Sequence, residues 1–216
     1  MTEAADALDP TGSELPLGAE YDCGPEIEIL MGEVETVRHP YTGETMLRRL
    51  PVQRPRAMAD CAAFRGTGAA PVPAAWLVPS GLEAVIELLT AHGIRWSALA
   101  EPAAFEAESF TITASTQSER EFQGHRERKL EGNWAPAPAT LPAGTVVVPS
   151  AQPLGRLAFY LLEPRSDDGV VAWNVLDEAL EGAATYPILR TSALPAGTLY
   201  REPGVSAADG RSEGRR

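Results

Sequence analysis

Basic residues are scarce in this chain: 18 Lys and Arg stand against 30 Asp and Glu, a formal charge of −12. That surplus of acid repels phosphate backbones and anionic headgroups, so nucleic-acid and charge-held membrane partners are not expected. Long apolar runs are missing too, and no stretch approaches the roughly 20 residues needed to span a bilayer. Residues 1–19 hold Glu3, Asp6, Asp9 and Glu14 but no Lys or Arg. A secretory signal has a positive start and an apolar stretch, so the expected setting is the cytoplasm. Cysteine is limited to Cys23 and Cys61, too few for a disulfide scaffold and too far apart for a metal knuckle. Two reduced thiols are the simpler expectation; a single Cys23–Cys61 bridge is the alternative in an oxidising compartment.

Motifs that carry chemistry are equally sparse. The three histidines, His39, His92 and His125, form neither a His-x-x-Glu nor a His-Glu-x-x-His spacing, so no metal is expected. There is no Gly-x-Ser-x-Gly nucleophile elbow, no Walker loop and no Gly-x-Gly-x-x-Gly turn, so no cofactor is expected either. What remains is a short set of polar candidates. His125 lies in the crowded run Glu121-Phe122-Gln123-Gly124-His125, where it has the chemistry of a ligand or general base. Glu163, Asp167 and Asp168 crowd one turn beside Trp173 and Asn174, and paired carboxylates can bind a cation or act as acid and base. A hydrolase site would draw on His125, Glu121, Glu163 and Asp168. The simpler reading makes His125 a hydrogen-bonded structural residue and the acids a solvated turn. Trp76, Trp96, Trp134 and Trp173 sit beside apolar strand residues and are expected in the core.

The hydrophobic pattern predicts an α/β fold, with α+β as the variant, built on a mixed sheet. Residues 1–19 and 193–216 are expected to be largely disordered tails, poor in large apolar groups. Residues 20–56 read as a β-hairpin block: Ile27 and Ile29 alternate with Glu26 and Glu28, and Tyr41-Thr42-Gly43-Glu44 reads as a turn. Residues 57–73, with Gly66, Gly68, Pro71 and Pro73, read as a linker or long loop. Residues 74–192 form the main domain, in which a strand–Pro-Ser–helix unit occurs twice. Residues 75–78 precede Pro79-Ser80 and a helix with Leu82, Val85, Ile86 and Leu89 on one face, capped by Ser80 and Glu83 at its start and by Gly93 at its end. Residues 145–148 precede Pro149-Ser150 and a second stripe of Leu154, Leu157, Ala158, Leu161 and Leu162, stopped by Pro164. Asn174 is placed to cap a short third helix. Two such units predict parallel pairing of their strands.

The run Gln152-Pro153-Leu154-Gly155-Arg156-Leu157, continuing through Leu162-Glu163-Pro164 and Asp168-Gly169 to Trp173-Asn174, resembles a stretch of large bacterial zinc-carboxypeptidase-like proteins. Trp76-Leu77-Val78-Pro79, His92-Gly93-Ile94, Phe122-Gln123-Gly124-His125 and Tyr186-Pro187-Ile188 follow the same order. The resemblance covers about residues 25–192 and implies a region lying after the catalytic domain. That family's zinc site, a His-x-x-Glu pair plus a later His, has no counterpart in these residues. The resemblance therefore implies a non-catalytic accessory domain that braces, or shapes access to, a catalytic domain supplied elsewhere. Its expected partners are that domain or a second copy of the chain. The rival expectations are a hydrolase site around His125 and a small-ligand binder.

Overall fold

The computed structural model describes residues 9–195 and 200–201. It is mainly β with some helix. In chain order the strands are β1 (Glu14–Asp22), β2 (Glu26–Arg38), β3 (Thr45–Ala59), β4 (Ala63–Pro71), β5 (Ala75–Val78), β6 (Ser97–Leu99), β7 (Ala103–Phe105), β8 (Ala107–Gln117), β9 (Arg128–Pro136), β10 (Ala139–Leu141), β11 (Val146–Pro149), β12 (Leu189–Thr191) and β13 (Tyr200–Arg201). The helices are α1 (Glu83–Ala91), α2 (Gly155–Leu162) and the single turn α3 (Asp177–Leu180). The chain divides into two units, residues 1–18 with 68–216 and residues 19–67.

The larger unit is built on a seven-stranded sheet in the order β13-β6-β11-β5-β12-β8-β9. Every pairing in that sheet is antiparallel, which corrects the expected parallel pairing. The two strand–helix units are present, but their parallel strands are not neighbours. β5 and β6 run the same way with β11 between them, and β11 and β12 run the same way with β5 between them. The units are thus interleaved as a split β-α-β arrangement. β5 and β11 still bury both faces, which is why they read as continuous apolar runs. On β5, Trp76 and Val78 join the cluster of Val85, Leu89, Phe159 and Leu162 from the helices. Ala75 and Leu77 face the other way, against Leu99, Phe105 and Val147.

The predicted stripe of α1 is correct in phase: Val85 and Leu89 are buried, and Leu82 and Ile86 pack beside them. Its end is a Schellman cap, with Gly93 at φ +74°. Gly93 N–H donates to Thr90 O at 3.0 Å and Ile94 N–H to Leu89 O at 3.0 Å. Its start differs from expectation. The helix begins at Glu83 behind Leu82, without a side-chain cap from Ser80. Asn174 likewise does not cap α3, whose preceding residue is Leu176; it takes a left-handed conformation at φ +63° instead.

The smaller unit is a long two-stranded ribbon. β2 and β3 pair antiparallel from Glu26↔Ala59 to Arg38↔Thr45, with a register shift between Gly32 and Val34. The predicted turn at residues 41–44 connects them, with Gly43 at φ +73°. Residues 57–73, expected as a linker, are mostly strand: the end of β3 and then β4, which pairs with β1. Residues 14–19, expected in a disordered tail, belong to β1, and Leu15 is buried in the core of the larger unit. Most of the tail expected at 193–216 lies outside the described residues. Cys23 and Cys61 form a disulfide, correcting the expectation of reduced thiols. Strand pairing sets their Cα atoms 4.0 Å apart, a closeness that a sequence separation of 38 conceals.

Candidate functional site

The candidate residues are positioned by the β8–β9 hairpin and by the turn that follows α2. The hairpin tip is a tight turn: Gln123 and Gly124 both take positive φ, +52° and +83°. Phe122 and His125 bond each other's backbone at 2.8 and 2.9 Å. Asn174 clamps the returning strand. Its Oδ1 accepts from Arg126 N–H at 3.2 Å, and its Nδ2 donates to Arg126 O at 2.9 Å. Arg128 reinforces the hold by donating through Nε to Asp177 Oδ1 at 2.8 Å. The left-handed backbone of Asn174 aims its amide at the hairpin, a conformation this residue type tolerates well.

Near the clamp lies an open cavity of about 560 Å³ whose lining includes Arg120, Phe122, His125, Lys129, Asp167 and Trp173. His125 packs edge-on against Trp173, with ring centroids 5.3 Å apart. Trp173 Nε1–H donates to Asp168 Oδ1. Two of the four candidates therefore meet the same indole. His125 has no hydrogen bond to a carboxylate among the described residues. Glu121 is exposed in the hairpin tip and is absent from the cavity's lining.

Glu163 departs from its expected place. It was expected in a solvated turn, but its side chain is fully buried. Pro164 ends α2 and turns the chain so that Glu163 points inward. Arg165 Nε donates to Glu163 Oε1 at 3.1 Å, and Arg190 Nη1 lies 3.9 Å from Glu163 Oε2, beyond hydrogen-bond reach. Arg190 stacks on Trp134, 4.4 Å from the ring centroid, and donates to Glu108 Oε2 at 2.6 Å. Tyr186 O–H donates to Leu162 O at 3.0 Å beside this cluster. Burial raises the Glu163 carboxyl above its usual range even though Arg165 and Arg190 pull it down. Burial, aided by the charge of Glu163, also pushes the Tyr186 phenol up.

The sequence reading missed Arg190, yet a signal was there. Tyr186, Ile188 and Arg190 alternate with period two, and all three are buried. An arginine at a core position of a strand calls for a buried carboxylate partner. The run Glu163-Pro164 through Trp173-Asn174 likewise gains a structural explanation. Gly169 lies so close to Tyr160 O that a Cβ would sit 2.7 Å from it, and Asn174 is the hairpin clamp. The tryptophans divide: Trp76 is fully buried, while Trp96, Trp134 and Trp173 are partly exposed. Among the described residues no group of three or more His, Cys, Asp or Glu side chains is gathered to hold a metal ion. No helix among them is long and apolar enough to cross a membrane.

No family model matches the chain, and no solved structure matches it. Carboxypeptidase 2 of Trichophyton tonsurans is 25% identical over 118 residues, which is 55% of this chain and 22% of that protein. The chain thus spans about a fifth of the length of this curated relative, a distant likeness to a carboxypeptidase.

Proposed function

We propose that the chain is a non-catalytic accessory domain serving a zinc-carboxypeptidase-like catalytic domain, whose substrate access it braces or shapes. One observation carries this reading: three of the four polar groups nominated for catalysis are held in structural contacts, and Glu163 lies apart from the other two. Glu163 sits in the core between two guanidinium groups, His125 stacks on Trp173, and Asp168 accepts from that same indole. Peptide hydrolysis needs an activated water, a base and a charge-stabilising group converging on one bond. The partial match to a much longer carboxypeptidase supports the same reading, since an accessory segment covers only part of such a protein. The Cys23–Cys61 bond favours work in an oxidising compartment over the cytoplasm.

The test has two arms. The chain alone, with zinc added, is assayed for release of C-terminal amino acids from model peptides, beside His125→Ala. No release is expected from either. Co-expression with a zinc-carboxypeptidase-like catalytic domain should yield a complex that survives size-exclusion chromatography. Zinc-dependent release by the wild type, lost in His125→Ala, would replace this reading with a hydrolase centred on His125.

A further inference from the structure

The exposed large hydrophobic side chains are concentrated in the ribbon rather than spread over the chain. Ile27, Leu30, Met31, Val34, Tyr41, Met46, Leu47, Val52 and Met58 all lie between Glu26 and Ala59. Side chains alternate across a strand and directly paired residues share a face, so the register on either side of the Gly32–Val34 shift assigns the paired residues to two faces. One face carries Ile27, Ile29, Met31, Glu33, Glu35 and Val37 on β2; four of these are partly covered, while Ile27 and Met31 are exposed to 44% and 38%. Across this face Glu33 pairs with Arg54 and Glu35 with Arg48.

The opposite face carries Glu26, Glu28, Leu30, Gly32, Val34, Thr36 and Arg38 on β2, every one of them exposed. Across from them on β3 stand Ala59, Ala57, Pro55, Gln53, Arg49, Leu47 and Thr45. Leu30, Val34 and Leu47 are 66%, 56% and 66% exposed. The charges on this face are segregated along its length. Glu26 and Glu28 lie toward the disulfide end, while Arg38 and Arg49 lie toward the turn. None of Glu26, Glu28 or Arg49 makes an ion pair among the described residues. Arg49 leans over Gly32, where a Cβ would meet its Nε at 3.4 Å.

We propose that this face binds the same face of a second copy of the chain, the two ribbons antiparallel about a two-fold axis. A face with acid at one end, base at the other and apolar groups between is its own complement under that operation. The acidic half of each ribbon meets the arginine half of its partner, with Glu26 toward Arg38, and Leu30 of each meets Val34 of the other. Such an isologous contact closes as a dimer instead of growing into a filament. A ribbon of thirteen residues is about 43 Å long, and two strands are about 10 Å wide. The face therefore offers on the order of 400 Å², about half the per-partner area of a standard interface. The dimer is accordingly weak and strongly concentration-dependent, and salt loosens it further by screening the end charges.

The experiment is sedimentation equilibrium on the full chain with its disulfide intact, verified by thiol titration for every variant. Wild type should pass from monomer to dimer as concentration rises. Glu28→Arg and Arg49→Glu each place like charges together twice per dimer, and each should weaken association about tenfold or more, the effect of some 1.4 kcal/mol. Leu30→Gln should weaken it as well. Mixing the two charge variants should restore association, because each end of one then meets an opposite charge on the other. A wild type that stays monomeric at every concentration, variants that dimerise as well as wild type, or a mixture no tighter than its components would each overturn the proposal. No catalytic domain is present, so these outcomes are independent of the accessory reading.

Discussion

Replacing Arg190 with Met tests the physics of the core most directly. Arg190 and Glu163 are buried, with side-chain exposures of 9% and 0%. Methionine keeps much of the packing against Trp134 but removes one of the two cations facing Glu163. Breaking a buried pair from one side typically costs about 3–5 kcal/mol, because the remaining charge is left uncompensated. That is a large share of the roughly 5–15 kcal/mol that holds a domain folded. The pH dependence supplies the sign. Burial raises the folded-state value of Glu163 above its ordinary 4.5, so its contribution to stability is fully present below that value and is lost as pH rises through the folded one. Without Arg190 the folded value climbs further, and the loss extends to higher pH. Urea denaturation followed by tryptophan fluorescence should therefore show a penalty that grows between about pH 5 and about pH 8, across the range into which a buried carboxyl can be shifted. Equal penalties at both pH values, or a larger one in acid, would refute the placement of Glu163 as a buried, strained carboxylate.

Two further substitutions check the remaining structural claims. Cys61→Ala opens a loop whose ends are 38 residues apart, for which chain entropy assigns a loss of about 4 kcal/mol. A two-stranded ribbon has little burial to offset that, so hydrogen exchange of the β2 and β3 amides should accelerate sharply while the amides of β5 and β11 keep their protection. In α1, Leu89→Ala should cost about 2–5 kcal/mol by leaving a cavity, whereas Glu87→Ala on the exposed face should stay within about 0.5 kcal/mol. Equal effects at the two positions in thermal denaturation would show the helical phase to be wrong.

Much of the local structure was legible because its causes are local. The spacing of Leu82, Val85, Ile86 and Leu89, with Gly93 after them, specifies a helix face and its end within a dozen residues. The Tyr41–Glu44 turn and the alternation of β2 are written in neighbouring positions in the same way. The candidate site was less legible. The sequence placed His125 and Asp168 in polar segments, but only the hairpin register and the Asn174 clamp bring both to Trp173.

Distant pairing decided the rest. Whether β5 and β11 lie side by side, and in which direction, depends on Val78 meeting Val146, a contact that no local pattern encodes. An apolar four-residue strand reads alike in a parallel or an antiparallel sheet, since both faces are covered either way. Glu163 looked solvated because its neighbours in sequence, Arg165 to Gly169, are polar. Its actual surroundings come from Arg190 on β12 and Trp134 on β9. The disulfide followed the same rule, since the pairing of β1 with β4 and of β2 with β3 is what draws Cys23 and Cys61 together. The sequence by itself determined the helix faces, the turns and the acidic surface, each set by residues within a few positions of one another. Tertiary structure alone decided strand direction, the burial of Glu163 and the thiol pairing, because each is an energy between residues far apart along the chain.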